Sequence, residues 1–215
     1  MGLFPPPLSK SASWPMAMGA EGIAMAQFAR CGFDVLLQAG RDKPWYDLAV
    51  MRAGNLLKVS VKASENGAWP LTSGYTLRAP DAGGIRVDRN AIEMWRAGFG
   101  SRAVVCLVQF EGVTIDRLPR IYLAAPDEIA AAMRETAERT GRCALLEMYE
   151  WKGSDGEQRV KMLPDEWHFS EARVKELLIS QGGMAAAAPA AKSTVQSSAA
   201  ARPPQETQRE LALTL

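Results

Sequence analysis

The sequence predicts an α/β domain in which helices flank a mixed central sheet. Three features support this class: a segment of helical periodicity from Met16 to Arg30, two strand patterns joined by a short turn, and the apolar run from Ala103 to Phe110. A short uninterrupted apolar run is typical of a strand that is buried on both faces. Because such a strand needs cover on each side, we expect helices above and below the sheet.

The first helix and the strands that follow it come from local periodicity. Apolar residues recur at helical spacing, and Gly32 is a stop signal. Strands are predicted at Phe33 to Gln38, Asp47 to Met51 and Leu56 to Val61. The intervening residues 52–55 are few enough to make the last two strands an antiparallel hairpin.

Further along the chain, helix and strand patterns alternate. Ser64 to Gly84 contains several Gly and Pro residues and is mostly loop, with one short strand predicted inside it. A turn of Gly, Ser, Asp and Gly joins the last two strands into a hairpin. The predicted strands are Tyr75 to Arg78, Ala103 to Phe110, Ile121 to Ala125, Cys143 to Trp151 and Gln158 to Met162, and the predicted helices are Arg89 to Ala97, Pro126 to Arg139 and one that Ser170 caps and that ends near Ser180.

Composition divides the chain into one domain and two tails. Residues 1–15 hold three consecutive prolines and are expected to be a flexible leader, and residues 16–180 are long enough to form one domain with its own core. Residues 181–209 are rich in Ala, Pro, Ser and Gln and are predicted to be a disordered linker. No apolar run reaches the length of about 18 residues that a membrane span needs, so a cytoplasmic protein is expected.

Bulk charge and cysteine content restrict the function classes. Lys and Arg number 25 against 24 Asp and Glu, a net charge of +1, which gives no general electrostatic attraction to nucleic acid. Any such partner must be held by local patches, and a structural or interaction protein without a nucleic-acid role stays open. The three cysteines, Cys31, Cys106 and Cys143, are widely spaced and are interpreted as core residues, since no metal-binding spacing occurs.

One group of residues has the composition of a catalytic site. In the predicted hairpin Asp47 starts one strand and Lys62 follows the end of the next, so both lie at the same end of a sheet whose strands are about 4.8 Å apart. Glu21, in the first helix, can add a second carboxylate. Carboxylate oxygens suit Mg²⁺ or Mn²⁺, and a lysine can position or deprotonate an attacking water. The alternative interpretation is an exposed surface pair at strand ends.

The order of helix, three strands, helix and strand, together with YDLAV followed by LLKVSVKAS, resembles the PD-(D/E)xK or restriction-endonuclease-like superfamily. The local sequence is similar to its resolvase-like and intron-homing endonuclease branches over roughly Glu21 to Phe110. This resemblance implies a Mg²⁺- or Mn²⁺-dependent endonuclease that hydrolyses DNA phosphodiester bonds. It implies metal ligation by Glu21, Asp47 and the Val61 carbonyl, assistance by Lys62, and a homodimer of the resolvase kind.

Two positions depart from the family pattern. Tyr46 replaces the proline of the motif, which coordinates nothing, and Ser60 replaces the second acid. A serine hydroxyl is a weaker ligand for a hard cation than a carboxylate, so the pattern predicts weakened metal binding at Ser60. A catalytically inactive nuclease fold that serves as a DNA-binding or clamp-tethered accessory protein is therefore the alternative.

Two further segments suggest partners. A basic and aromatic loop before Asp47 and a residue in the long loop after Lys62 are predicted to contact DNA phosphates and unstacked bases, although the aromatic residues of both loops can equally cover the core. The C-terminal residues 210–215 resemble the bacterial sliding-clamp-binding motif, with Glu210 in place of Gln; a chance leucine-rich end is the alternative. The predicted DNA contacts are Arg41, Lys43, Trp45 and Arg78, and the predicted clamp contacts are Leu211, Leu213 and Leu215.

Overall fold

Helices and strands alternate along the part of the chain that the structure, a computed structural model, describes: residues 14–38, 46–75 and 89–182. The helices are α1 (Trp14–Arg30), α2 (Arg89–Ala97), α3 (Pro126–Thr140) and α4 (Glu171–Gly182), with a short 3-10 helix at Asp165–Trp167. The strands are β1 (Asp34–Leu37), β2 (Leu48–Arg52), β3 (Asn55–Ser64), β4 (Ala68–Trp69), β5 (Ala103–Gln109), β6 (Arg120–Ala124), β7 (Leu145–Leu146), β8 (Met148–Lys152) and β9 (Gln158–Met162).

A five-stranded mixed sheet organises the fold, in the order β1-β2-β3-β5-β6. The hairpin of β2 and β3 is antiparallel, with Leu48 opposite Val59, and its turn places Ala53 and Gly54 at positive φ. β3 then runs parallel to β5, with Val61 opposite Cys106, after a connection that includes α2. Parallel neighbours require such a crossover, because the chain must return to the starting edge of the sheet.

Helices cover the sheet on both faces and divide the core into two clusters. On one face α1 and α4 pack against the strands through residues such as Ala24, Phe28 and Leu177. On the other face α2 and α3 pack through Trp95 and Met133. All seven residues of β5 are buried, as expected for an interior strand of a three-layered α/β fold.

The predicted fold class is confirmed, since the sheet is mixed and helices flank it. The bounds of α2 match the prediction, and Ser170 caps α4 as expected by accepting a hydrogen bond from the Arg173 N–H at 3.1 Å. β3 is longer than predicted and extends to Ser64. The two-residue strand β4 was not predicted, and the strand predicted from Cys143 to Trp151 is divided into β7, which pairs with β4, and β8. Tyr75 lies in a turn and not in a strand.

Several predictions concern residues outside the described ranges. The leader up to residue 13, the linker after residue 182 and the docking peptide 210–215 fall there, so the predicted domain bounds stay a prediction. Of the cysteines, Cys106 is buried, while Cys31 and Cys143 are half-buried against the two clusters. Within residues 14–38, 46–75 and 89–182, none of the helices is long and apolar enough to cross a membrane.

Candidate active site

Asp47 is held in place by both neighbouring strands of the sheet. It lies directly before β2, where its N–H donates to the Val59 carbonyl at 2.8 Å and its carbonyl accepts from the Gln38 N–H at 2.9 Å. Its carboxylate Oδ2 accepts from the Val61 N–H at 2.6 Å. The side chain therefore has a fixed position at the end of the hairpin, where main-chain bonds orient it and a charge-assisted bond anchors it.

The Val61 backbone faces the same side as Asp47. In a strand the N–H and the C=O of one residue point toward the same neighbouring strand. Because the Val61 N–H donates to Asp47, its carbonyl oxygen also points toward this side of β3. Sequence analysis predicted the Val61 carbonyl as a metal ligand, and its direction is compatible with that role.

Ser60 and Lys62 share a face of β3, since alternate residues of a strand project to the same side. Ser60 is buried, with 5% of its surface exposed, whereas Lys62 is half-buried. The structure thus brings together the predicted residues Asp47, Ser60, Val61 and Lys62 on two adjacent strands. The Asp47 carboxylate contacts the Val61 N–H directly, and Ser60 and Lys62 are the residues on either side of Val61 in β3.

Trp69 lies in the core next to the candidate site. It is not an exposed loop residue at the border of that site. Its indole Nε1–H donates to the Lys62 carbonyl at 3.2 Å, and only 1% of its surface is exposed. Its ring meets Tyr122 edge to face at 6.4 Å. Of the two interpretations of the aromatic loop residues, Trp69 follows the one in which they cover the core, because β4 pairs with β7 and carries the indole into the core.

Glu21 is half-buried on α1 and lies between Ala20 and Ala24 in sequence, both of which are fully buried in the cluster that includes Val61. This arrangement places Glu21 beside the contact between α1 and the hairpin, as the sequence predicted for its helix. Within the described ranges, no group of three or more His, Cys, Asp or Glu side chains gathers to hold a metal. A divalent ion here would therefore depend on two carboxylates at most.

The oxygen donors nevertheless suit a small hard cation. Mg²⁺ is commonly held by one or two carboxylates together with water and substrate phosphates, and it does not need a complete protein cage. The negative charge of Asp47 reaches into the core, because burial first and Asp47 second raise the pKa of the Cys106 thiol. Cys106 stands opposite Val61 on β5, so the charge of Asp47 acts on β5 at the position beside Val61.

A cavity of about 240 Å³ adjoins the site and was not predicted. Lys58, on the same face of β3 as Ser60 and Lys62, extends an exposed side chain there, and its Nζ lies 6.0 Å from the centre of the Tyr46 ring. The sequence shows the alternation of Lys58, Ser60 and Lys62 along β3. It does not show that residues 98–100, from a distant segment, line the same cavity. The cavity is lined by Tyr46, Lys58, Gly98, Phe99, Gly100 and Ala103.

A second polar cluster lies behind Trp69 and is centred on Glu147. Arg120 binds its carboxylate through two nitrogens, at 2.6 and 2.8 Å, and the Tyr122 hydroxyl donates to Oε1 at 2.6 Å. Burial alone would raise the pKa of Glu147, but the bonds from Arg120 and Tyr122 outweigh it and lower the pKa below its ordinary value of 4.5. Burial and the Glu147 carboxylate raise the pKa of the Tyr122 hydroxyl. Sequence analysis did not identify this cluster.

The remaining predicted site residues lie outside the described ranges. These are the DNA contacts Arg41, Lys43, Trp45 and Arg78 and the clamp contacts Leu211, Leu213 and Leu215. His168, interpreted from sequence as a packed or capping residue, follows the 3-10 helix and stacks on Tyr122 at 4.8 Å.

Comparison with known proteins finds a likeness at the level of structure. No family model matches the sequence, and no curated protein matches it. Among solved structures, the fold is similar to that of a bacterial homing endonuclease, I-Ssp6803I, with 20% sequence identity and a TM-score of 0.34. The likeness covers 56% of this chain and 73% of that protein. At this sequence identity and TM-score, the likeness concerns the fold alone.

Proposed function

We propose that this protein is a metal-dependent DNA endonuclease that hydrolyses phosphodiester bonds. The observation that supports the proposal is the bond of 2.6 Å between the Asp47 carboxylate and the Val61 N–H, one residue before Lys62. It fixes a carboxylate against the backbone of β3 one residue before Lys62, and a carboxylate, a carbonyl and a lysine can together serve hydrolysis that depends on Mg²⁺ or Mn²⁺. The order of these residues matches the resemblance noted in the sequence.

In the proposed mechanism, each residue has a separate task. Asp47 and Glu21 would hold Mg²⁺ with the Val61 carbonyl and, more weakly, the Ser60 hydroxyl. When bound, the ion would polarise the phosphate and lower the pKa of a coordinated water. Lys62 would orient the attacking water, help to remove its proton and offset the charge of the phosphate. The buried indole of Trp69 donates to the Lys62 carbonyl and so fixes the Lys62 backbone, which would hold the amine in position at the candidate site.

The test is cleavage of linear, branched and single-stranded DNA with Mg²⁺ or Mn²⁺. Asp47→Asn and Lys62→Ala should each abolish cleavage while the fold is retained. Matched controls are Asp165→Asn and Lys175→Ala, which alter an exposed aspartate and an exposed lysine on other elements. Metal-dependent cleavage that both site variants lose and both controls keep would support the proposal. Cleavage that survives in both site variants would contradict it.

A second candidate keeps the fold and the DNA but not the chemistry. It is favoured by the position of Ser60, where the family pattern has an acid, and by the lack of a three-ligand group in the described ranges. In this candidate the domain is a DNA-binding or clamp-tethered accessory protein. A folded wild type that binds the DNA panel without cleaving any member, at several concentrations of Mg²⁺ and Mn²⁺, would favour this candidate over the endonuclease.

We also propose that residues 210–215 dock on the bacterial sliding clamp. The motif of Leu211, Leu213 and Leu215 supports this proposal, and these residues lie outside the described ranges. Replacing the three leucines by alanine should abolish binding to a purified clamp and leave DNA binding by the domain unchanged. Equal clamp affinity in the wild type and this variant would refute the docking role.

The exposed face of α1 supports a homodimer, which we propose as the assembly. Trp14, Met18 and Met25 are exposed by 69, 51 and 36%, and Gly22 lies among them with open space around it. Met18→Glu should convert a dimer to a monomer in analytical ultracentrifugation, because a charge at the centre of an apolar contact is left desolvated. Met94→Glu, at an equally exposed methionine on α2, is the control. A monomeric wild type would contradict the proposal.

A further inference from the structure

The cavity beside the candidate site has a preformed wall. Phe99 follows α2 and meets Trp95 at 4.9 Å between ring centres, and its carbonyl accepts from Arg96 Nη1 at 3.3 Å. Arg96 is in turn held by the carboxylate of Asp127 on α3, with 2.7 Å between Nη2 and Oδ2. The Phe99 ring is therefore fixed by contacts that come from two helices and do not depend on a ligand.

The floor and the opposite wall come from the start of β3 and the residue before Asp47. The Lys58 N–H donates to the Arg102 carbonyl at 2.8 Å, and Lys58 stands opposite Ala103 in the sheet. Tyr46 directly precedes Asp47, and its half-buried ring lies near the Lys58 ammonium. Two aromatic residues and one lysine among the residues that line the cavity make a site for a flat group that carries negative charge nearby.

Size and position restrict the ligand. At about 240 Å³ the cavity is smaller than the range of roughly 300–1,000 Å³ typical of sites for whole drug-sized ligands, so it suits one small planar group. Lys58 lies four residues before Lys62 on the same face of β3, about 13 Å along the strand. A group seated there would belong to the same DNA strand that the candidate site engages.

We propose that this cavity binds one unstacked nucleobase of the DNA substrate, with Phe99 and Tyr46 as stacking surfaces and Lys58 on a flanking phosphate. The inference deepens the proposed function and rests on DNA as its substrate. It assigns a preference for single-stranded or branched DNA, in which a base can leave the stack at little cost, over a fully paired duplex.

Gly100 allows a direct test, because it lines the cavity and has an ordinary φ. A Cβ added there would meet no atom within 4 Å. Gly100→Leu should therefore fill the cavity without strain in the fold, and Gly100→Ser, which is too small to fill it, is the matched control. From the usual strength of base–aromatic stacking, Gly100→Leu and Phe99→Leu should weaken binding of single-stranded DNA by about 5- to 150-fold.

Binding is measured by fluorescence anisotropy in EDTA, so that cleavage plays no part. An oligonucleotide that carries 2-aminopurine reports unstacking, and its emission should rise on binding to the wild type and to Gly100→Ser but not to Gly100→Leu. Lys58→Ala should instead reduce the slope of log affinity against log salt by about 0.7, the value of one phosphate contact on a single strand.

The outcomes separate this inference from the proposed endonuclease. If Gly100→Leu and Phe99→Leu, shown to be folded by circular dichroism, bind as the wild type does and 2-aminopurine stays silent, the base site is overturned whether or not DNA is cleaved. If both effects occur and no DNA is cleaved, the base site stands and the endonuclease is contradicted. A folded wild type that binds no DNA overturns both.

Discussion

Two carboxylates, those of Glu147 and Asp47, are held in different ways. Glu147 is buried and is bound by the Arg120 guanidinium and the Tyr122 hydroxyl. Asp47 is half-buried and is anchored through one oxygen by the Val61 amide, which carries no net charge. The Arg120 guanidinium pairs with the charge of Glu147, whereas the hydrogen bond from the Val61 N–H fixes the position of the Asp47 carboxylate at the hairpin.

This contrast separates a structural cluster from a candidate site. The pKa values of Arg120 and Tyr122 are raised and that of Glu147 is lowered, yet these polar groups bind one another. Perturbed groups often mark active sites, but buried ion-pair networks perturb pKa values as well. Geometry instead supports the candidate site, since the Val61 N–H anchors the half-buried Asp47 carboxylate one residue before Lys62.

The largest expected effect of a single change on stability is at Glu147. Glu147→Ala removes the acceptor of the Tyr122 hydroxyl and of the half-exposed Arg120 guanidinium, and it should lower the free energy of unfolding by about 2–3 kcal/mol. Urea denaturation followed by circular dichroism measures this loss. The control is Glu93→Ala, which breaks an exposed ion pair with Arg134 and should change stability by less than about 1 kcal/mol. Equal losses in the two variants would contradict a structural role for the cluster.

The same cluster predicts a smaller effect of pH. The pKa of Glu147 is lowered in the folded state, so its stabilising contribution is complete above the unfolded value near 4.5 and is lost as pH falls through the folded value. The free energy of unfolding should therefore decrease below about pH 4.5. In Glu147→Gln the free energy of unfolding should decrease less steeply with falling pH. Residue 147 no longer titrates in this variant, while the other carboxylates titrate as they do in the wild type. An acid limb of the same steepness in the variant would show that Glu147 does not contribute to it.

At the candidate site the informative change adds a charge. Ser60→Glu supplies the acid that the family pattern has at this position, and it should tighten Mg²⁺ binding by at least about tenfold, or about 1.4 kcal/mol, and raise the rate of cleavage. Ser60→Gln is the matched control, because it has a similar size without the charge. Isothermal titration with Mg²⁺ measures the affinity. If the two variants bind Mg²⁺ equally, Ser60 does not face the ion and the proposed ligand set is wrong.

Local patterns in the sequence predicted most of the fold and part of the site. The hairpin and the positions of Asp47, Ser60 and Lys62 follow from alternation and a short turn, which depend on neighbouring residues only. The role of Trp69 could not be predicted, because β4 pairs with Leu145 and Leu146, more than 70 residues later. For the same reason the partner of Arg120 and the approach of Phe99 to Lys58 depend on contacts that no local periodicity records.

The smallest expected effect on stability is at Trp69, which connects the two regions. Its indole donates to the Lys62 carbonyl, and its ring packs on Tyr122 of the Glu147 cluster. Trp69→Phe keeps an aromatic ring but removes the donor, so it should lower the free energy of unfolding by about 1 kcal/mol, the usual net value of one hydrogen bond. A variant that stays folded should keep its kcat despite this loss of stability. If the indole positions Lys62 for catalysis, kcat should nevertheless fall, while the affinity for DNA in EDTA stays constant. A variant with reduced stability and an unchanged kcat would show that the indole only completes the core and that the Lys62 amine is positioned by β3 alone.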